Sequence, residues 1–143
     1  MKLSKPVKLK VVLDTSVCVA ALLSKEGGSA KIFNSIVNGK IYNFYTEETL
    51  REITQVLKRT KFKLEKEKQE HFIHLLTESS FLIKPLKEFK VAKCRDPKDD
   101  PFLSLSNQVE ADYLITLDKD LLTVRSFTPK IVTPKTFLTP NKF

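Results

Sequence analysis

Acidic residues recur in short groups along this chain, and their positions are the first indication of chemistry. Asp14 ends an apolar run and is followed at once by the hydroxyl residues Thr15 and Ser16. The later groups are Glu47, Glu48 and Glu52, then Asp96, Asp99 and Asp100, then Asp118 and Asp120. Carboxylates that are brought together repel one another unless a cation neutralises them. If folding gathers these groups, their oxygens would bind a hard divalent ion, Mg²⁺ or Mn²⁺.

Carboxylate-bound divalent ions can hydrolyse a phosphodiester. The ion lowers the pKa of a water that attacks phosphorus, and a second ion helps to clamp the attacking and leaving oxygens. Ser16 and Thr116 would hydrogen-bond either a carboxylate or the scissile phosphate. Each acid also has an ordinary structural alternative, as a helix cap, a turn residue or a solvated helix acid. Only their convergence in the fold would favour the metal hypothesis.

The segments around the acids alternate between short apolar strands and amphipathic helices. Strands are predicted at 9–13, 41–45, 80–83, 111–117 and 130–132. Helices are predicted at 15–23, 29–38, after Thr46, 64–79, 99–110, 119–122 and 134–138. This alternation predicts a three-layer α/β/α domain with a central, mostly parallel sheet. Ligands bind beyond the carboxyl ends of such strands, and Asp14 and Asp118 both directly follow predicted strands.

The length of 143 residues fits a single domain, 1–143, with its core at about 9–138. No apolar run approaches the roughly 20 residues of a membrane helix, and the N-terminus lacks the apolar region of a signal peptide. We therefore expect a cytoplasmic protein with no membrane partner. Cys18 and Cys94 form no metal or redox motif and are expected to be reduced. His71 and His74 lack a third soft ligand and are interpreted as helix histidines near solvent.

The net charge of +8 indicates a polyanionic partner, nucleic acid first, although a solubilising lysine-rich surface is the alternative. Basic residues that could follow an RNA backbone are Lys58, Arg59, Lys61, Lys63, Arg95 and Lys119. Neither a P-loop nor a dinucleotide-binding glycine motif is present, which argues against nucleotide-binding classes.

Four segments together resemble the PIN-domain family. They are Val-Leu-Asp-Thr-Ser at 12–16, Glu-Thr-Leu-Arg-Glu-Ile at 48–53, the aspartate-rich stretch 94–103 and the strand and turn at 111–122. More narrowly, the chain resembles the VapC-like toxins of toxin–antitoxin pairs. The resemblance extends over about 9–138, and the four motifs occur in the family's order and spacing.

This resemblance implies a metal-dependent endoribonuclease that cleaves single-stranded RNA with Mg²⁺ or Mn²⁺. The catalytic acids it implies are Asp14, Glu52, Asp100 and Asp118. Asp99 is the alternative in the third position, because the run 96–100 leaves the register ambiguous by one residue. The metal ligands would then come from Asp14, Glu52, Asp99, Asp100, Asp118 and Asp120. An antitoxin protein is the implied partner.

The family usually has asparagine where this chain has Ser16. Serine keeps a hydrogen-bonding oxygen, so we expect altered ordering of Asp14 or of the phosphate rather than loss of the site. Apolar helix faces in the N-terminal half would form a homodimer or higher homo-oligomer, or receive an antitoxin segment.

Two alternatives belong to other classes of protein. One is a catalytically inactive PIN-like module for RNA binding or assembly. The other is a receiver-type phosphoryl-transfer domain that uses Asp14. The second is disfavoured because Ser16 occupies the place where a second aspartate would be needed.

Overall fold

The computed structural model describes residues 8–92, 96–124, 127 and 129–140, so Cys94 and Arg95 lie outside the described residues. The strands are β1 (Lys10–Leu13), β2 (Tyr42–Tyr45), β3 (Phe81–Leu82), β4 (Tyr113–Ile115) and β5 (Lys130–Val132). The helices are α1 (Thr15–Leu23), α2 (Gly28–Val37), α3 (Glu47–Leu57), α4 (Lys66–Glu78), α5 (Asp100–Gln108), α6 (Lys119–Leu122) and α7 (Pro134–Leu138). Single turns of 3₁₀-helix lie at Thr60–Phe62, Lys87–Phe89 and Pro97–Asp99.

The strands form one five-stranded sheet in the order β3-β2-β1-β4-β5. Every neighbouring pair is parallel, and Leu13 of β1 lies opposite Ile115 of β4. Helices flank this sheet, which confirms the predicted α/β fold class. The chain proceeds from β1 to β2 and β3 on one side and returns to β4 and β5 on the other. The order therefore reverses between β1 and β4, where ligands bind in open parallel sheets.

The central strands are apolar because both of their faces are covered. Val11 and Val12 of β1 and Leu114 and Ile115 of β4 have no exposed surface. Near-continuous aliphatic sequence is typical of parallel strands buried on both faces. This packing holds β1 and β4 side by side and brings the residues that follow them to one edge of the sheet.

The two ends of β4 differ in what their aspartates contact. Asp112, before the strand, accepts a hydrogen bond from the backbone N–H of Lys10 at 2.8 Å. Thr116 and Asp118 follow the strand, beside the residue that ends β1. Among the described residues, the helices are too short or too polar for any of them to cross a bilayer.

Candidate functional site

A cavity of about 380 Å³ opens beyond the carboxyl ends of β1 and β4, and we call it the acidic cavity. Its lining includes the predicted acids Asp14, Glu52, Asp99 and Asp118, together with Ser16. They come from the end of β1, from α3, from the turn before α5 and from the residue after the β4 loop. The fold thus brings together carboxylates that lie more than a hundred positions apart in sequence.

Asp14 is held rigidly at the base of this cavity. The side chain is only 3% exposed. One carboxylate oxygen accepts the hydroxyl of Ser16 and the backbone N–H of Val17, the latter at 3.3 Å, and so caps α1. The other oxygen accepts the hydroxyl of Thr116. The ordinary role of helix cap and the predicted role in the site therefore coincide in one residue.

The same two hydroxyls also fix the loop that follows β4. Ser16 Oγ accepts the backbone N–H of Leu117, and Thr116 Oγ1 accepts that of Asp118, both at 2.9 Å. Each hydroxyl has its acceptor position filled by a backbone N–H, so its single proton is directed to Asp14. Ser16 and Thr116 consequently position Asp14 relative to Asp118.

Burial raises the pKa of Asp14, whereas the hydrogen bonds from Ser16, Thr116 and the backbone oppose that rise. The neighbouring Cys18 is wholly buried. Burial and the charge of Asp14 raise the pKa of the Cys18 thiol, which keeps it protonated and unreactive.

Asp118 lies at the cavity wall as the N-cap of α6. Its Oδ1 accepts the backbone N–H of Asp120 at 2.9 Å. Asp120 itself does not belong to the lining of the acidic cavity. Asp118 therefore caps the start of α6 and at the same time lies beside Asp99.

The turn before α5 directs Asp99 into the cavity. Asp96 accepts the backbone N–H of Lys98 at 3.0 Å, and its carbonyl accepts that of Asp99 at 3.0 Å. Burial, then the charge of Asp118 and a hydrogen bond to it, then the charges of Asp14 and Asp96, raise the pKa of Asp99 to about 7. Asp99 Oδ2 is buried, and among the described residues it has no hydrogen-bond partner.

Asp99, rather than Asp100, is the member of the aspartate run that faces the other acids. Asp100 begins α5 and lines a different cavity, together with Thr46 and Pro85. Successive helical residues point about 100° apart, so a one-residue shift changes the cavity that a side chain faces. Asp100 was the implied third acid and Asp99 the alternative; the geometry favours Asp99 for that position.

The basic residues predicted to bind RNA do not all lie near the site. Arg59 lines the acidic cavity, as does Lys98, which was not singled out. Lys58, Lys61, Lys63 and Lys119 are exposed, but they are not part of that lining; Arg95 lies outside the described residues. Lysine-rich sequence alone gave no indication of which bases face the cavity.

Sequence reasoning missed Thr15. Thr15 belongs to the lining of the acidic cavity, and its Oγ1, like Asp99 Oδ2, is buried without a hydrogen-bond partner among the described residues. A hydroxyl directly after a strand-ending aspartate is the signal that could have found it.

Divalent metal fits the donor chemistry of this cavity. The candidate ligands Asp14, Glu52, Asp99 and Asp118 offer only oxygen, which suits Mg²⁺ or Mn²⁺. The raised pKa of Asp99 shows that its carboxylate charge lacks compensation. In the described part of the chain, no three His, Cys, Asp or Glu residues form a group that could hold an ion. The suitability of the cavity for a divalent ion therefore depends on the chemistry of its oxygen ligands, and not on a preformed coordination site.

Comparison with known proteins identifies the family. The family model of the PIN domain matches residues 10–120. The chain belongs to the PIN-domain family. PIN domains are generally nucleases, and PIN nucleases generally use divalent metal ions.

The chain is also similar to two further proteins. An uncharacterized protein of Methanocaldococcus jannaschii, MJ1680, is 31% identical over 96% of this chain and 95% of its own length. The crystal structure of PAE2754 from Pyrobaculum aerophilum matches with a TM-score of 0.57 and 12% identity, over 92% of this chain and 94% of that one. At that identity the likeness concerns the fold alone.

Proposed function

We propose that this PIN domain is a divalent-metal-dependent endoribonuclease that cleaves phosphodiester bonds of single-stranded RNA. The observation that carries the proposal is the convergence of Asp14, Glu52, Asp99 and Asp118 on one cavity at the switch point of the sheet. Membership of a family of nucleases supports the reaction class.

Each residue has a distinct task in the proposed reaction. Asp14 and Asp118, fixed by Thr116, would hold Mg²⁺ or Mn²⁺, with Asp99 and Glu52 completing the oxygen donors. Such an ion supplies Lewis acidity to the phosphate and lowers the pKa of the attacking water.

Cations at the rim of the acidic cavity would hold the RNA itself. Arg59 and Lys98 line the same cavity as the acids and would bind the phosphates on either side of the scissile bond. The net charge of +8 would draw a polyanion towards the acidic centre.

The biological setting that we propose is the toxin of a cytoplasmic toxin–antitoxin pair, with an antitoxin that blocks the acidic cavity. The proposal also includes a homo-oligomer. The edge strand β3 supports a protein partner, because Phe81 is 50% and Leu82 is 55% exposed. Unpaired, exposed apolar edges are places where other chains add.

A catalytically inactive RNA-binding module is the second candidate. It is favoured by one observation, namely that no three potential ligands in the described residues form a ready-made metal group. The two candidates share the fold and the basic rim, and they differ in whether RNA is cut.

A matched pair of substitutions at the two ends of β4 separates the candidates. Purified protein is incubated with labelled single-stranded RNA in Mn²⁺, in Mg²⁺ and in EDTA. We expect cleavage in the metal buffers, none in EDTA, and a loss of more than about 100-fold in Asp118→Asn. Asp112→Asn keeps an oxygen acceptor for Lys10 and should cleave normally. No cleavage by wild type in either metal buffer would reject the enzyme assignment and favour the inactive module. Cleavage that persists in EDTA and in Asp118→Asn would show that the acidic cavity is not its source.

A further inference from the structure

The segment 84–92, which connects β3 to the turn before α5, lies across α5, and we call it the strap. Gln108 of α5 fixes its beginning. Gln108 Oε1 accepts the backbone N–H of Leu86 at 3.0 Å, and Gln108 Nε2 donates to the carbonyl of Lys84 at 2.9 Å. Both hydrogen-bonding groups of this amide are thus used on backbone atoms of the strap.

Two further α5 side chains fix the rest of the strap. Ser104 Oγ accepts the backbone N–H of Val91 at 2.8 Å, and Asn107 Nδ2 donates to the carbonyl of Phe89 at 3.2 Å. These residues lie three and four positions apart on one face of the helix, together with Gln108. The strap is therefore attached to α5 in an ordered position.

Beneath the strap lies a cavity of about 550 Å³, which we call the strap cavity. This volume is within the range of sites that take small organic groups. Its walls include Pro85, Leu86 and Pro101, which provide flat or branched apolar surface. Glu48 and Asp100 add carboxylate oxygens to it. Apolar walls with a few polar acceptors suit a nucleobase, whose faces are apolar and whose edges carry amino groups.

A third cavity of about 310 Å³ adjoins both the strap cavity and the acidic cavity. This middle cavity shares Glu52 and Lys98 with the acidic cavity. It shares Glu48, Pro97 and Pro101 with the strap cavity. This row of adjoining cavities offers a path for one extended ligand along the starts of α3 and α5, from the acids to the strap.

Cations accompany this path along its whole length. Arg59 and Lys98 line the acidic cavity, Arg51 lines the middle one, and Lys87 and Lys90 line the strap cavity. Regularly placed cations beside a groove are the arrangement by which proteins follow a single-stranded phosphate backbone. Neither the acids nor the PIN family model accounts for the two lysines of the strap.

We propose that the strap cavity binds a nucleobase of the single-stranded RNA substrate, close to the scissile phosphate, while Lys87 and Lys90 bind the adjoining phosphates. The base lodges against Leu86 and the prolines, and the chain then passes through the middle cavity to the acids. A base can enter only if it is free of a duplex, so this subsite selects single strands. The inference depends on the proposed function for the identity of its ligand.

The first test concerns the phosphates. Binding of a fluorescein-labelled single-stranded RNA is measured by anisotropy in EDTA, over a range of salt concentrations. The double variant Lys87→Gln/Lys90→Gln should bind more weakly. Its slope of log affinity against log salt should fall by about 1.4, since each contact to a single strand contributes about 0.7. The control Lys66→Gln/Lys68→Gln removes two exposed lysines of α4 that line neither cavity, and its slope should not change.

The second test concerns the base. Leu86 is 46% exposed, so Leu86→Ala should fold, and we expect it to bind RNA about tenfold more weakly. Leu23→Ala, at a side chain that is 53% exposed on α1, is the matched control and should bind normally. An RNA with abasic sugars at its centre should bind wild type more weakly than intact RNA does. Leu86→Ala should discriminate less between these two RNAs.

The outcomes separate this inference from the proposed function. If the strap variants bind and cleave like their controls while Asp118→Asn abolishes cleavage, the strap subsite is wrong and the nuclease assignment stands. If wild type never cuts RNA but the strap variants lose affinity as described, the subsite stands and the inactive binding module replaces the nuclease. If intact and abasic RNA bind wild type equally, the cavity takes no base and the inference is overturned.

Discussion

Asp14 and Asp99 line the same cavity, yet the structure treats the two carboxylates in opposite ways. Asp14 accepts hydrogen bonds on both oxygens, from the first turn of α1 and from Thr116, which follows β4. Asp99 comes from a single turn of 3₁₀-helix, has one buried oxygen without a partner among the described residues, and has a pKa raised to about 7. The cavity thus combines a carboxylate positioned in advance by the fold with one whose charge only a ligand would compensate.

Asp14→Asn tests the carboxylate that the fold holds in place, and it should have the largest effect on RNA cleavage. Removing a direct ligand charge should lower RNA cleavage by more than about 100-fold, since changes that act only through a ligand's neighbours already cost about 10–100-fold. Cleavage rates with saturating Mn²⁺ measure this loss, and circular dichroism checks folding. If the Asp14→Asn protein folds and cleaves RNA at the wild-type rate, Asp14 is not part of the catalytic site.

Asp99→Asn and Asp100→Asn form a pair that tests the carboxylate whose charge is not compensated within the fold. Asp99→Asn should weaken Mn²⁺ binding by at least about tenfold in isothermal titration, because it removes a ligand. Asp100→Asn should leave Mn²⁺ affinity near wild type, because Asp100 lines the strap cavity. The opposite ranking would restore Asp100 as the third acid.

Thr116→Val tests how far positioning alone contributes. It removes the hydroxyl that joins Asp14 to the backbone of Asp118 while leaving every carboxylate in place. We expect cleavage to fall by about 10–100-fold, with Mn²⁺ affinity reduced in parallel. Thr116→Ser keeps the hydroxyl and should recover most of the activity. If Thr116→Val lowers stability without changing the activity of the folded fraction, Thr116 has a structural role only.

The pH dependence of stability should show the smallest effect. The pKa of Asp99 is about 7 in the fold against an ordinary 3.8, so the folded chain holds this proton more tightly. The stability that this tighter proton binding adds to the folded state is present at low pH and is lost as the pH rises towards and through 7. In metal-free buffer, wild type should therefore lose stability relative to Asp99→Asn between about pH 4 and 7. Denaturant unfolding of both proteins measures the difference, and parallel curves would contradict it.

The sequence predicted the fold well where one local pattern dominated. The predicted helix 15–23 coincides with α1, because Asp14 caps it and an apolar run follows. The predicted strand 111–117 is longer than β4 at both ends. The backbone N–H of Thr116 still bonds to Val132 of β5, and Asp118 then caps α6.

The details of the site could not be derived from sequence in the same way. Asp99 and Asp100 are adjacent and chemically identical, and only the turn fixed by Asp96 decides which cavity each one faces. Similarly, Lys98 lies on the acidic cavity while Lys61 stacks its ammonium over the ring of Phe62, 5.1 Å from its centre. The charge pattern of a sequence shows which residues are basic. Contacts across the fold decide which of those side chains face the cavity.

The hydrogen bond between Thr116 and Asp14 spans 102 positions of sequence, and this has a consequence for synthesis. A chain emerging from the ribosome folds from its N-terminus onwards. The β1–β2 pair can form early, but Asp14 lacks its partner hydroxyl, and the cavity lacks Asp118, until the chain has been synthesised beyond residue 118. If the chain has the proposed function, its RNA-cleaving site would therefore stay incomplete, and inactive, until these later segments have folded.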